Sequence, residues 1–450
     1  MPSIRKKGNN YEITISNGYD SSGRKITVSR TFTPKDTWNE ERTKKEVEKF
    51  AIRLEEKVKN GYNVKADNIT LEKLSVLFLE DVKPPEVERT TYYDYTRRLQ
   101  MRIIPILGRE KITNINGHTI KEYSSQLRKD GIRLDGKSGG LSEGSINKDK
   151  AVISSLLSYA VYEGLLSINP LIYSGKRRGR QKASKEYTVD YFTIDQTKWF
   201  LWALENEIEI KHKAHECKRK DGSKYMVKEY TQKWKLPIKW RVFFMLSLFT
   251  GERRGEVISL TWEDLDFETG EVNTEISTVC VEGKVYHKDT KTHASRCPVV
   301  PLFVMEAAAE LLKEQKKESL QLGDQWVGYK GSKFKKNFVF TQWNGQQMNL
   351  GSPRHEFKRL IRIYNDNVAK SEEDLLPETV TLHDLRHTAA SILISNGLDV
   401  QSVAGVLGHA DPTTTLNIYS YFFRSKNKEA ANIMENVLRP SPQNQNEQVI

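Results

Sequence analysis

Apolar residues recur along this chain with two different periods, and the changes of period fall at glycine and proline. In NYEITIS, residues 10–16, and KITVSRTF, residues 25–32, apolar and polar positions alternate. The turn formers of NGYDSSGR lie between them, so the pattern predicts a hairpin in a small sheet. After Pro34, WNEERTKKEVEKFAIRLEEKVKNG reads as a helix with charged faces, an apolar stripe at Val47, Phe50, Ile52 and Leu54, and Gly61 as its stop.

Helical spacing then dominates. ITLEKLSVLFLEDV (69–82) offers Thr70 as a cap. Further helices are expected from TTYYDYTRRLQMRIIPILG (from 90), GHTIKEYSSQLRKDG (from 117) and GSINKDKAVISSLLSYAVYEGLL (144–166), with glycine-rich punctuation at 136–144. These predict an all-α bundle. The stretch SGKRRGRQKASKE (174–186) has six Lys/Arg, one acid and no apolar period, and reads as a basic linker.

From YFTIDQTKWFLWAL at 191 a third, larger unit begins, mixed but mainly α. Residues 211–235 hold nine Lys/Arg against three acids between two apolar helices, and are expected to form an insertion loop with Asp221 and Gly222 at its tip. Alternation through 271–301 predicts a small antiparallel sheet turning near Gly283, and helices resume at FVMEAAAELLKEQKKE. The expected organisation is 1–65, 68–173, a linker at 174–188, a large unit at 189–440 and a polar tail at 441–450.

Composition narrows the partners. With 450 residues, 37% of them hydrophobic, the chain can bury several cores. Its 71 Lys+Arg against 59 Asp+Glu give +12, which favours a polyanion, although charge alone does not separate nucleic acid from an acidic membrane surface. The N-terminal module could lie in a DNA groove or serve in dimerisation. The longest apolar run, VFFMLSLF (242–249), is far short of the roughly 20 residues that span a bilayer, and no secretory signal follows the N-terminus, so no membrane association and a cytoplasmic location are expected. Three scattered cysteines, Cys217, Cys280 and Cys297, argue against a disulfide framework. His212, His215 and Cys217 lack a fourth ligand at a recognised zinc spacing.

Four stretches of the third unit carry candidate chemistry. FTGERRGEVISL (249–260) places arginines between two apolar helices, where guanidinium forks and backbone amides could hold a phosphate. DTKTHASRCPVVP (289–301) reads as a strand-to-strand turn carrying Lys291, and a lysine on a hairpin tip can swing into a cleft and donate a proton to a leaving oxygen. TLHDLRHTAA (381–390) puts His383 and Arg386 on one face of a helix. VAGVLGHADPTTTLNIYSYFF (403–423) brings His409, Tyr419 and Tyr421. Taken singly, each has an ordinary structural explanation.

In order, TGERRGE, KT before SRCPVVP, HDLRH, LGH and TTTLNIYS resemble the tyrosine recombinases, the phage integrase family, most of all integrases of Gram-positive phages and conjugative transposons. The resemblance implies Arg253, Lys291, His383, Arg386 and His409 as catalytic residues and Tyr419 as nucleophile, with Tyr421 standing where many relatives have histidine. Glu256 would orient Arg253. It further implies an arm-type DNA-binding domain at 1–65, a core-binding domain at 68–173, a catalytic domain at 189–440, and a homo-tetramer on double-stranded DNA. The apolar stripe of 427–438 would dock on a neighbouring protomer, and an accessory excision factor and a host DNA-bending protein are implied as further partners.

The chemistry can be stated from residue types: a phenol displaces a phosphodiester, two arginines hold the non-bridging oxygens, and a lysine protonates the leaving 5′ oxygen. The phosphotyrosine keeps the energy of the broken bond, so no metal or nucleotide cofactor is expected. A type IB topoisomerase and a catalytically silent DNA-binding regulator remain as alternatives.

Overall fold

The computed structural model describes residues 2–19, 24–35, 37–59, 69–133, 135–173, 190–289, 297–328, 337–408 and single positions between 432 and 438. The chain divides into two units, Met1–Gln181 and Lys182–Ile450. The division falls in the basic stretch 174–188, which lies outside the described residues, as do Gly61 and the tail 441–450.

Unit 1 opens with an antiparallel sheet of β1 (Ser3–Lys7), β2 (Asn10–Tyr19) and β3 (Lys25–Phe32), so a strand absent from the sequence expectation precedes the hairpin. Ile13, Ile15 and Val28 on one face meet α1 (Glu40–Lys59). On α1 the buried stripe is Val47, Ala51 and Leu54 with Phe50 beside it, while Ile52 is exposed. Ile52 was expected in the stripe. Five residues past Val47 it has turned about 500°, some 140° off the buried line.

The remainder of unit 1 is helical: α2 (Leu71–Asp81), α3 (Arg89–Arg98), a π-helical turn (Leu99–Ile103), α4 (Ile104–Leu107), α5 (Gly117–Leu127), α6 (Glu143–Tyr162) and α7 (Pro170–Tyr173). Thr70 caps α2 by accepting the Lys73 N–H. Leu71, Leu74, Leu99, Ile103, Tyr123, Ile153 and Leu157 form the bundle core. Inside it Asp149, fully buried, accepts from Arg98, Arg102 and the Tyr123 hydroxyl, so the buried charge is paired and hydrogen-bonded.

Unit 2 begins with α8 (Ile194–Glu205). The insertion expected as a loop is instead a β-ribbon: β4 (Ile208–His212) pairs with β7 (Tyr230–Trp234), and β5 (His215–Lys218) with β6 (Lys224–Val227). Asp221 and Gly222 do sit at its tip. Backbone pairing along both strands stabilises the ribbon, and only its base, Ile208 and Trp234, is buried.

The core of unit 2 surrounds α9 (Ile238–Phe249), which is apolar on nearly all sides and is covered by α8, α11 (Leu302–Leu322), α12 (Ser352–Asn367) and α13 (Asp384–Ser395). Phe200, Phe243, Phe244, Phe340 and Phe357 pack there in tilted and edge-on pairs. The short α10 (Arg254–Ser259) follows α9, and α14 (Val400–Leu407) follows α13. The antiparallel hairpin β8 (Ile276–Val281) and β9 (Lys284–Asp289) turns at Glu282 and Gly283, both at positive φ.

Candidate active site

Helix α9 ends in a turn that presents three functional groups. Thr250 Oγ1 donates to the Leu246 carbonyl and accepts the Glu252 N–H. Gly251 takes the left-handed φ of +62°, and a Cβ there would lie 2.5 Å from Leu407 Cδ2, so both backbone and space demand glycine. Arg253 then opens α10. Its N–H donates to Glu256 Oε2 at 2.8 Å, and its Nη1 to Glu256 Oε1 at 3.0 Å. Glu256 is buried while the Arg253 side chain is about half exposed, so one edge of the guanidinium is tethered and the other opens to solvent. Arg254 lies near Arg354, and burial followed by that like charge lowers its pKa.

From the other side α13 supplies Arg386. It is buried, and its Nη1 donates to the Gly251 carbonyl at 2.7 Å. The turn carrying Arg253 and the helix carrying Arg386 are thereby joined through one backbone oxygen. His383 is the N-cap of α13 with its side chain exposed. Its pKa falls below the ordinary imidazole value, first from desolvation on the protein side of the ring and then from Arg386, with a smaller push from Arg253 and opposition from Asp384 and Glu256. The shift favours the neutral ring, whose free nitrogen can accept a proton. His387 meets the His383 ring edge-on at 5.5 Å, and its pKa is lowered by burial and then by His383.

The β8–β9 hairpin is seated on α10 through backbone and hydroxyls. A Cβ on Gly255 would fall 2.5 Å from the Thr278 carbonyl oxygen. Thr278 Oγ1 meets Ser259 Oγ at 2.6 Å, accepts from Gln347 Nε2 at 2.8 Å, and lies 3.2 Å from His287 Nδ1. The strand leading to position 291 is therefore fixed against the helix that begins beside Arg253.

Of the residues expected to act, Arg253, His383 and Arg386 come together in this way. Lys291, His409, Tyr419 and Tyr421 lie outside the described residues, as does most of 427–438. Sequence reasoning missed Glu252. Its side chain is buried and accepts the Thr274 hydroxyl, and the only sign was a carboxylate placed directly after an apolar helix. It also missed Gly251 as an acceptor, because a backbone carbonyl leaves no mark in sequence. Among the described residues no His, Cys, Asp and Glu cluster suits a metal ion, and no helix is long and apolar enough to cross a membrane.

Residues 223–424 match the Phage integrase family, and residues 70–128 match the Phage integrase, N-terminal SAM-like domain. A tyrosine recombinase XerC-like protein of Caldanaerobacter subterraneus subsp. tengcongensis is 23% identical over 442 residues, 95% of this chain and 96% of the relative. The ICEBs1 integrase of Bacillus subtilis is 26% identical over 199 residues, 44% of this chain and 49% of the relative. The transposase from transposon Tn916 of Enterococcus faecalis is 30% identical over 183 residues, 39% and 41% of the two chains. A Tn1549 transposon integrase, solved in complex with transposon right end DNA, shares the fold with a TM-score of 0.59 at 21% identity, covering 83% of this chain and all of that one. Two domains of the phage integrase family thus stand in the expected order in this chain, which is similar almost end to end to a tyrosine recombinase XerC-like protein and shares its fold with a transposon integrase.

Proposed function

We propose that this chain is the integrase of a mobile element, a phage or conjugative transposon, and that it integrates and excises the element by cleaving and rejoining DNA at specific sites. The observation that carries the reading is the Gly251 carbonyl held by Arg386, two residues before Arg253, which draws two guanidinium groups from distant elements to one turn.

In the proposed reaction the Tyr419 phenol attacks the scissile phosphorus, the bond to the 5′ oxygen breaks, and a 3′-phosphotyrosine forms. Neutral His383 takes the phenol proton. Arg253 and Arg386 stabilise the charge gathering on the non-bridging oxygens, His409 donates a further hydrogen bond, and Lys291 protonates the leaving 5′ oxygen. Attack by the 5′ hydroxyl of another strand reverses the sequence and completes strand transfer. Residues 1–65 serve as arm-type DNA-binding domain, 68–173 as core-binding domain and 189–440 as catalytic domain, in a tetramer acting on cytoplasmic DNA.

The test is a nicked suicide substrate bearing the element's end, incubated with wild type, Tyr419→Phe and Tyr421→Phe and resolved on denaturing gels. A covalent protein–DNA band lost only in Tyr419→Phe is the expected result. Loss only in Tyr421→Phe moves the nucleophile by two residues, and no band on DNA that the protein binds favours a silent regulator. Strand exchange between two duplexes separates the recombinase from a type IB topoisomerase.

A further inference from the structure

Thr388 lies on α13 two residues beyond Arg386 and is fully buried. Its hydroxyl does two things. It donates to the Asp384 carbonyl at 2.9 Å, and it accepts the Phe192 N–H at 3.0 Å, a bond that spans 196 positions of sequence. Phe192 is itself immobilised, with its ring buried against Phe200 and Phe357. It is also among the first described residues after the basic stretch 174–188, and α8 begins two residues later.

The donor and acceptor roles are fixed. An amide can only donate, so Phe192 occupies a lone pair of Thr388 Oγ1 and leaves the hydroxyl proton for Asp384. Asp384 is gripped a second time, because its Oδ2 accepts both the N–H and the hydroxyl of Thr381 at 2.7 Å. His383, the N-cap of α13, thus stands between two braces on the residue that follows it. A threonine hydroxyl bonded to the carbonyl four residues back ordinarily loosens or bends a helix. Here the same bond is turned into a fixed point by an amide from outside the helix.

We propose that Thr388 is a positioning residue for strand cleavage: its hydroxyl ties the first turn of α13, and with it His383 and Arg386, to the segment by which the chain enters the catalytic unit. This rests on the recombinase reading above. Thr388 touches no substrate and acts through Asp384. Removing the hydroxyl while keeping the shape leaves the Phe192 N–H buried without a partner and frees the Asp384 carbonyl to shift.

The experiment compares full-length wild type, Thr388→Val, Thr388→Ser and the control Thr197→Val, which deletes an equivalent buried hydroxyl on α8. Single-turnover cleavage of the suicide substrate is measured at saturating DNA, together with DNA affinity and thermal stability. The expected result for Thr388→Val is cleavage slowed about tenfold at unchanged affinity, with Thr388→Ser restoring most of the rate and Thr197→Val cleaving normally. A wild-type cleavage rate in Thr388→Val overturns the proposal, as does failure of Thr388→Ser to restore it. So does an equal slowing in Thr197→Val, which would mark a loss of stability alone. If wild type forms no covalent band, the recombinase reading falls, and the brace is judged by hydrogen exchange. Faster exchange across 383–388 in Thr388→Val than in Thr388→Ser supports it, and identical exchange overturns it.

Discussion

Arg386 and Gly251 stand 135 positions apart, and the guanidinium of the first donates to the carbonyl of the second at 2.7 Å. The bond leaves Arg386 little freedom, since the side chain is buried and one fork is already committed. Lysine cannot reproduce that fork, because its ammonium is a point charge that can serve either Gly251 or a phosphate in a fixed direction. Arg386→Lys is therefore expected to lower the cleavage rate by about a hundredfold with near-normal DNA affinity, in the range of a lost transition-state donor. Single-turnover cleavage against DNA concentration checks it, and a loss confined to affinity would contradict it.

Gly251→Ala acts on the same junction from the backbone. The residue sits at φ +62°, and the new methyl would press on Leu407 in the last turn of α14, directly before Gly408 and His409. A cost of about 1–3 kcal/mol in stability is expected from the left-handed conformation alone. Cleavage should fall further than stability explains, because Leu407 must move. Thermal unfolding and cleavage of the same variant measure both.

Gly255→Ala tests the seating of the hairpin. A Cβ at 255 would meet the Thr278 carbonyl oxygen at 2.5 Å, a backbone atom that yields only if β8 shifts as a whole. DNA binding should survive while cleavage drops at least tenfold, since the strand leading to Lys291 is displaced. Normal cleavage would show that the position of the hairpin does not govern the reaction.

His287, His383 and His387 all have pKa values below the ordinary 6.5; desolvation by the surrounding protein is the leading cause in each, and neighbouring positive charge adds to it for the latter two. The folded protein therefore binds fewer protons than the unfolded chain between the folded pKa values and about pH 6.5. Stability is fully present above pH 6.5 and is lost as pH falls through that window. The melting temperature should decline on going from pH 7 to pH 5.5, and less steeply in His287→Gln. Cleavage should show an acid limb below pH 6.5 that is absent from His383→Gln.

Much of this architecture was legible because helices with one buried face announce themselves. Leu71, Leu74 and Phe78 recur at helical spacing, and α2 lies where they place it. The ribbon was not legible, for a physical reason. Only the base packs on the core, through Ile208, Ile210 and Trp234; beyond them both faces meet solvent, so no apolar side marks a period of two, and lysines fill either face alike. The π-helical turn at Leu99–Ile103 likewise has no local sign, since Arg98 and Arg102 share a carboxylate 47 or more positions away. At the site, the ordered motifs gave the side chains. The bonds that aim them, from Gly251, Thr278 and Thr388, belong to backbone atoms or to hydroxyls that sequence does not distinguish from any other.

The ribbon itself supplies the last prediction. Its tip is closed by the Arg219 N–H to the Ser223 carbonyl, Arg219 lies over the Tyr225 ring at 5.2 Å, and Lys218 pairs across the strands with Lys224. Glu216 already pairs with Lys224 at 2.8 Å, whereas Lys218, Arg219 and Lys220 gather positive charge beside the tip, which attracts an anion. DNA phosphate is the anion that the proposed reaction brings to the protein. Each backbone phosphate neutralised contributes about 0.9 to the slope of log affinity against log salt concentration. Changing Lys218, Arg219, Lys220 and Lys224 together to glutamine is therefore expected to flatten that slope by about two to four, while the ribbon's backbone pairing and buried base remain. Affinity titrations between low and moderate salt measure it. An unchanged slope would mean that the ribbon stands clear of DNA, and that its charge serves solubility alone.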